Sequence, residues 1–369
     1  MRVLIIIHSF DSGIGLFVSG LLENFKDKNY HFTVVTLSDN KWHVEKSLKQ
    51  HGVNLIQIPK SKNKIYQAVC RKKEIKRILK TSRWDVIYTH SATVVMFPYL
   101  RMAKRYVPNR IMHSHARDFE GKLYRIRKMY HRLVKLLYPY VTTQNLACSE
   151  EAAAWMYPKS IIKEKKYQVV PNCIDSEKFK YSEITREKIR NKYKLQNQFV
   201  IGHVGRFEKV KNHKFIIDIF EELCRKHSNA KLMLVGDGVL EDDVKRYVAE
   251  KKLEHNVLFL GKQSNVNELY QAMDYFILPS EKEGFSMVLL EAQSTGLHCL
   301  ASNMVPVIVN CIGTVAFKAL EDSAKSWAEE IIRDSDYMRI DCSERIKQAG
   351  YDVSCMETLF KDIFEKGLL

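Results

Sequence analysis

Twice along its 369 residues the chain alternates short apolar runs with segments of helical periodicity, and this rhythm leaves few folds open. In the first half the runs fall at residues 3–8, 31–36, 53–58, 85–89, 110–113, 146–148 and 167–170. In the second half they fall at 199–204, 231–235, 257–260, 275–278 and 299–301. Runs of this length suit strands covered on both faces. The stretches between them, such as 215–223 and 241–248, repeat apolar residues at helical spacing. Strand–helix alternation means βαβ units and parallel sheets. A single core does not usually grow to this size, so two doubly wound α/β domains are expected. Their predicted bounds are 1–175 and 176–369, with the last helix a candidate to pack back on the first domain. The joining stretch, "NCIDSEKFKYSEITREKIRNKY" from residue 172, is polar and densely charged. In open α/β sheets ligands bind beyond the carboxyl ends of the strands, so the site is expected in the cleft between the domains.

Charge separates the two halves. Residues 1–175 carry 31 Lys and Arg against 13 Asp and Glu, a net of +18, whereas residues 176–369 carry 28 against 30. The basic first domain is therefore expected to face something anionic. The eight cysteines are scattered without a Cys-x-x-Cys pair, which excludes the usual zinc and disulfide frameworks and suits a reducing compartment. The apolar block 3–7 is too short for a signal peptide, and no run approaches membrane-spanning length. A cytoplasmic protein is expected.

Chemistry-bearing residues cluster just after predicted strands. In "DSGIGLFVSG", residues 11–20, Gly13 and Gly15 let the backbone approach a phosphate or sugar at a helix start. Residue 18 is Val, so the pattern is not a complete G-x-G-x-x-G, and a plain tight turn fits equally. In "GHVGRFEKVKN", residues 202–212, Arg206 and Lys211 leave a strand end together and offer a donor fork and a point charge to phosphate oxygens. Two solvated surface cations are the simpler reading of that stretch alone. "LVGDGVLEDD", residues 234–243, reads as a strand-to-helix turn that shapes the cleft. In "PSEKEGFSMVLLEAQ", residues 279–293, Glu283 and Glu291 stand eight apart around a Gly-Phe-Ser step. A helix starting at Gly284–Ser286 would aim free N–H groups at an anion. Wholly helical spacing would put the two acids about 12 Å apart, near the span of a sugar and a ribose bridged by diphosphate.

With these residues in place, the chain resembles the retaining glycosyltransferases of family 4, which have the two-domain GT-B fold. The stretch E-G-F-S-M-V-L-L-E is similar to that family's E-x7-E motif, and "GRFEKVKN" to its G-R-x-x-x-x-K-N/G diphosphate element. "VVPNCIDSEKF" resembles its interdomain segment, with Cys173 where Gly is usual, and "MHSHARDFEGKLYRIRKMYHRLVKLL" and "ACSEEAAAWMY" resemble the subgroup that builds capsular and exopolysaccharides. The resemblance implies that Glu283 contacts the donor sugar, Glu291 the ribose hydroxyls, and Arg206 with Lys211 the diphosphate. Backbone at Gly284, Phe285, Ser286 and Met287 would lie beside the nucleotide, with Gly13 and Gly15 near the donor. It further implies metal-independent front-face transfer from a nucleotide-sugar, with uridine the expected base, to a saccharide acceptor on a lipid diphosphate. One departure stands out: the subgroup often has "GGIE" where this chain has Ser12-Gly13-Ile14-Gly15.

His113, His115 and His90 sit at or just beyond strand ends of the first domain, and the resemblance favours His115 beside the acceptor. Asp334-Ser335-Asp336 spells a D-x-D metal motif, but it follows a helical pattern and reads as a helix end. Residues 101–135 hold eleven Lys and Arg, with Leu123, Ile126, Tyr130 and Leu133 recurring at helical spacing. This suits a basic amphipathic helix on the inner face of an anionic membrane, or one packed on its own domain with a wet basic face. Four alternatives stay open: a nucleotide-sugar epimerase, a sugar phosphorylase, a binding-only relative that has lost activity, and a basic nucleic-acid-binding protein. No recognisable nucleic-acid module supports the last.

Overall fold

A computed structural model of the chain describes residues 1–10, 12–38, 45–59, 61, 63–115 and 124–366. The chain divides into two compact units, Met1–Cys173 with Val353–Leu369, and Ile174–Asp352. The first division lies two residues before the predicted 175/176 boundary. Residues 353–369, counted in the second half with the last helix a candidate to pack back on the first domain, group with the first unit, and the cause is apolar packing described below.

The first unit is a parallel sheet of β1 (Arg2–Ile7), β2 (His31–Thr36), β3 (Asn54–Gln57), β4 (Val86–Ser91), β5 (Asn109–Ser114), β6 (Gln144–Ala147) and β7 (Gln168–Val169). Its spatial order is β3-β2-β1-β4-β5-β6-β7. The helices are α1 (Gly13–Asn24), α2 (Glu45–Gln50), α3 (Lys64–Thr81), α4 (Phe97–Ala103), α5 (Tyr124–Lys135), α6 (Glu150–Met156) and α7 (Lys159–Lys163). Strand β1 is buried from Val3 to Ile7, as a central strand covered on both faces must be. Helix α1 starts where the Ser12 hydroxyl accepts a hydrogen bond from the Gly15 N–H, a side-chain N-cap.

The second unit contains α8 (Glu183–Tyr193), β8 (Phe199–Val204), α9 (His213–Cys224), β9 (Ala230–Val235), α10 (Glu241–Glu250), β10 (Val257–Phe259), α11 (Val266–Ala272), β11 (Tyr275–Leu278), α12 (Met287–Ser294), β12 (Cys299–Ser302), β13 (Val315–Lys318), α13 (Ala324–Asp334) and α14 (Ser343–Gln348). The strand order is β10-β9-β8-β11-β12-β13, all parallel. Each strand-like run of the sequence is a strand to within a residue or two. Strand β13 was not anticipated; it is a half-buried edge strand and lacks a continuous apolar run. Helix α8 is held by Arg186 and Arg190, which both pair with Asp274, while Asp274 also accepts from the Val200 N–H at 2.8 Å.

The last helix, α15 (Met356–Glu365), explains the grouping of the C-terminal residues. Met356, Phe360, Ile363 and Phe364 recur at helical spacing and enter one core cluster with Ile5, Phe17, Leu21 and Tyr88. Polar ties confirm the seat: Asn109 donates to the Phe364 carbonyl at 2.9 Å, and the Tyr30 hydroxyl to Glu365 at 2.6 Å. No helix among the described residues is long and apolar enough to cross a membrane.

Phe360 is fully buried, so Phe360→Ala should destabilise the first unit by about 3–5 kcal/mol, the usual cost of emptying a core aromatic site. Differential scanning calorimetry is expected to show one transition moving down while the transition of the second unit stays in place.

Candidate active site

The second sheet reverses its order of connection between β8 and β11, and the loops after those two strands diverge there. The loop after β8 carries Arg206 and Lys211; the loop after β11 carries Glu283. Lys211 Nζ lies 2.6 Å from Glu283 Oε1, with the two side chains only 19 % and 12 % exposed. The loops are tied further by the Glu281 N–H, which donates to the Val210 carbonyl at 2.8 Å. Arg206 behaves differently: its side chain is 72 % exposed and pairs with Glu208 at 2.7 Å.

The Gly236–Gly238 turn, expected only to shape the cleft, buttresses the Arg206 loop. Phe207 N–H donates to the Asp237 carbonyl at 2.8 Å, and Gly205 N–H to that of Val235 at 2.9 Å. Gly236 has a φ of +142°, and a Cβ there would meet the Gly205 oxygen at 2.0 Å. Only glycine suits that approach. Beneath Lys211, His203 and His213 pack edge to face at 4.9 Å. Burial holds both imidazoles below their ordinary pKa, His213 at about 4. They stay neutral at pH 7, so the charge of this site is carried by its loops.

Helix α12 begins at Met287 with Ser286 as its N-cap. Gly284 and Phe285 therefore lie in the loop before it, and only part of the Glu283–Glu291 separation is helical, which corrects the wholly helical spacing. Ser286 is buried and its hydroxyl has no hydrogen-bond partner among the described residues. Phe285 is buried and stacks on Tyr351 at 6.0 Å. Glu291, at the fifth helical position, accepts a hydrogen bond from the Tyr270 hydroxyl at 2.9 Å. Burial pushes its carboxyl up to about 7, against smaller opposing effects from Tyr270 and Lys178. Nothing local in the sequence pointed to Tyr270 or Lys178, because both reach Glu291 only through the fold.

In the first unit Gly13 and Gly15 both lie in the first turn of α1. A Cβ on Gly13 would meet open space, whereas one on Gly15 would meet the Phe10 backbone at 2.3–2.5 Å. The close approach of that segment leaves no room for the glutamate that the subgroup often carries there. Asp11 lies outside the described residues.

Strands β4 and β5 bring three histidines together. His90 Nδ1 is 2.9 Å from His115 Nε2, and the Tyr88 hydroxyl is 2.7 Å from His113 Nδ1. Phe17 of α1 packs against all three rings at 5.3–5.8 Å. His90 and His113 are fully buried and His115 half-buried. Burial depresses the pKa of each, that of His115 to about 3, so each is neutral at pH 7 and can exchange hydrogen bonds without carrying charge. Their ligand atoms lie within 4.8 Å of one another, the one such His, Cys, Asp or Glu grouping among the described residues. The D-x-D stretch does not form a comparable group: Asp334 ends α13 and accepts from the Tyr275 hydroxyl at 2.8 Å and from His298 at 3.1 Å.

The family model for Glycosyltransferase Family 4 matches residues 12–178, and that for glycosyl transferases group 1 matches residues 185–336. The putative glycosyltransferase EpsF of Bacillus subtilis is 30% identical over 270 residues, spanning 71% of this chain and 70% of that protein. The chain belongs to the family 4 glycosyltransferases. The UDP-Gal:alpha-D-GlcNAc-diphosphoundecaprenol alpha-1,3-galactosyltransferase of Escherichia coli is 28% identical over 62% of this transferase and 60% of its own length. The crystal structure of Anabaena HepE in complex with UDP superposes with a TM-score of 0.79 over 99% of this transferase and 100% of that chain, at 17% identity, and so shares the fold.

The raised carboxyl of Glu291 sets the direction of one pH effect. Between its ordinary value of 4.5 and its folded value of about 7, the folded transferase holds a proton that the unfolded chain has lost. Stability from this group is fully present below pH 4.5 and is lost as pH rises through 7. Glu291→Gln should therefore remove about 1–3 kcal/mol of the decline in unfolding free energy between pH 5 and pH 8, measured by urea titration at each pH.

Proposed function

We propose that the protein is a retaining glycosyltransferase that moves a sugar from a UDP-sugar to a saccharide carried on a lipid diphosphate, in capsular or exopolysaccharide assembly on the cytoplasmic face of a membrane. The observation that carries this reading is the Lys211–Glu283 pair at the reversal point of the second sheet, beside the start of α12. A cation, a carboxylate and a row of helix-start N–H groups are what a sugar diphosphate requires. The lipid-linked acceptor is supported by the Escherichia coli relative, whose own acceptor is a diphosphoundecaprenol-linked sugar.

In this reading Glu283 accepts hydrogen bonds from donor-sugar hydroxyls, and Glu291 from the ribose hydroxyls. Arg206, Lys211 and the N–H groups at the start of α12 hold the diphosphate, with the Ser286 hydroxyl available to donate. Phe285 and Met287 lie beside the nucleotide. The bond from the anomeric carbon to the diphosphate oxygen breaks, and its electron pair leaves with the diphosphate. The acceptor hydroxyl forms its bond on the face just vacated, and its proton passes to the departing diphosphate. Neutral His115 orients the acceptor hydroxyl. Protein cations stabilise the leaving group, and the reaction needs no metal.

Calorimetric titration with UDP, with and without EDTA, tests the donor half. Micromolar binding unchanged by EDTA and lost in Glu291→Ala is expected. Lys211→Ala should lower kcat/KM by roughly 10²-fold, about 3 kcal/mol of lost transition-state stabilisation. Failure of the wild type to bind UDP would overturn the donor assignment, and turnover of the UDP-sugar without acceptor would point to an epimerase.

A further inference from the structure

Helix α5 buries one face and exposes an apolar one. Its inward side carries His131, stacked on Trp155 at 4.1 Å, and Val134, with Tyr138 one turn beyond. A different face carries a stripe of Ile126, Met129, Tyr130 and Leu133, and Leu137 continues the stripe just beyond the helix; all five are 44–61 % exposed. The helix contains no acid, and Arg125 and Arg132 flank the stripe on one side. Packing on its own unit therefore accounts for His131 and Val134 and leaves the stripe uncovered among the described residues.

Along the other side of the stripe runs a groove of about 640 Å³ between α3, α4 and α5. Lys72 and Lys76 of α3, with Arg101 and Arg105 of α4 and the turn after it, line the groove, and no acid among the described residues does. Tyr130 and Leu137 form its wall on the stripe side, over an otherwise mostly apolar floor. Four cations gathered without a carboxylate repel one another, and an anion relieves that repulsion. An anion with a hydrocarbon tail would satisfy both features at once: its phosphate in the groove, its tail on the stripe. A free phosphate would leave the stripe wet.

We propose that this groove is a headgroup site for a membrane phospholipid, which seats the first unit on an anionic bilayer through the exposed stripe of α5. The site lies in the first unit alone. The inference rests on the membrane half of the proposed function and is independent of the donor sugar.

The test is flotation of the full chain with vesicles of phosphatidylcholine alone and of phosphatidylcholine with phosphatidylglycerol, alongside UDP titration of the same samples. Binding to the mixed vesicles, weak binding to the neutral ones and loss at high salt are expected. Lys76→Glu with Arg101→Glu should weaken mixed-vesicle binding by at least about 30-fold, from ~1 kcal/mol per basic residue near an anionic surface. Leu133→Ser should weaken it without changing its salt dependence, and both variants should keep the wild-type melting temperature. Equal binding to both vesicle types would overturn the headgroup site while leaving membrane attachment. Glycerol phosphate bound in a manner lost with Lys76→Glu and Arg101→Glu, by a chain that floats with neither vesicle type, would overturn the lipid as the occupant in favour of a soluble phosphate. Wild type that binds UDP but neither vesicle would overturn the membrane seat alone, as would concentration-dependent dimers that Leu133→Ser abolishes.

Discussion

Every strand in both sheets runs parallel to its neighbours, and the rest of the molecule follows from that constraint. A parallel strand cannot be joined to the next by a hairpin, so each connection must cross back over the sheet. All carboxyl ends then lie at one edge, and at the order reversal two adjacent loops turn away from each other. In the second unit this happens between β8 and β11, which is where Lys211 meets Glu283. In the first unit it happens between β1 and β4, which is where the start of α1 and His90 are placed. Residues 72 positions apart become hydrogen-bonded partners because the topology allows little else.

Charge follows the same division. Interior titratable groups beneath the loops are held neutral: His203 and His213 in the second unit, and His90 and His113 in the first. Lys211 and Glu283 carry their charges on loops, and the buried charges of the second unit are paired, as Arg186 and Arg190 of α8 are with Asp274. This arrangement avoids the large cost of burying an unpaired charge. It also means that an anion arriving at the loops meets Lys211 and Arg206 with little competing positive charge below them. Glu291 is the exception, a half-buried carboxyl whose raised pKa reflects that cost directly.

Much of this was legible in the residues. Strand positions could be read because a doubly covered strand must be apolar along its length, and Glu283, Glu291, Arg206 and Lys211 could be nominated as site candidates because their spacing forms a motif. Strand β13 was not legible, since an edge strand is covered less and needs fewer apolar residues. Tyr270 and Lys178 were hidden for a different reason: their relation to Glu291 exists only after α8, α11 and α12 have packed. Gly15 could be seen to break the expected pattern, but its cause, the Phe10 backbone against its α-carbon, required coordinates. The uncovered stripe of α5 was ambiguous in sequence because a helical wheel does not say which of two apolar faces a neighbour will cover.

The seat of α15 has a consequence for synthesis. Phe360 and Phe364 complete a core whose other members include Ile5 and Tyr88, so the first unit closes with residues that are translated after the whole of the second unit. The second unit, Ile174–Asp352, contains both of its ends by then and can finish first. Order of translation and order of completion are thus inverted. For the time needed to translate some 180 residues, the nascent first unit presents the apolar groove that α15 will fill, and that interval is when a chaperone has most to shield.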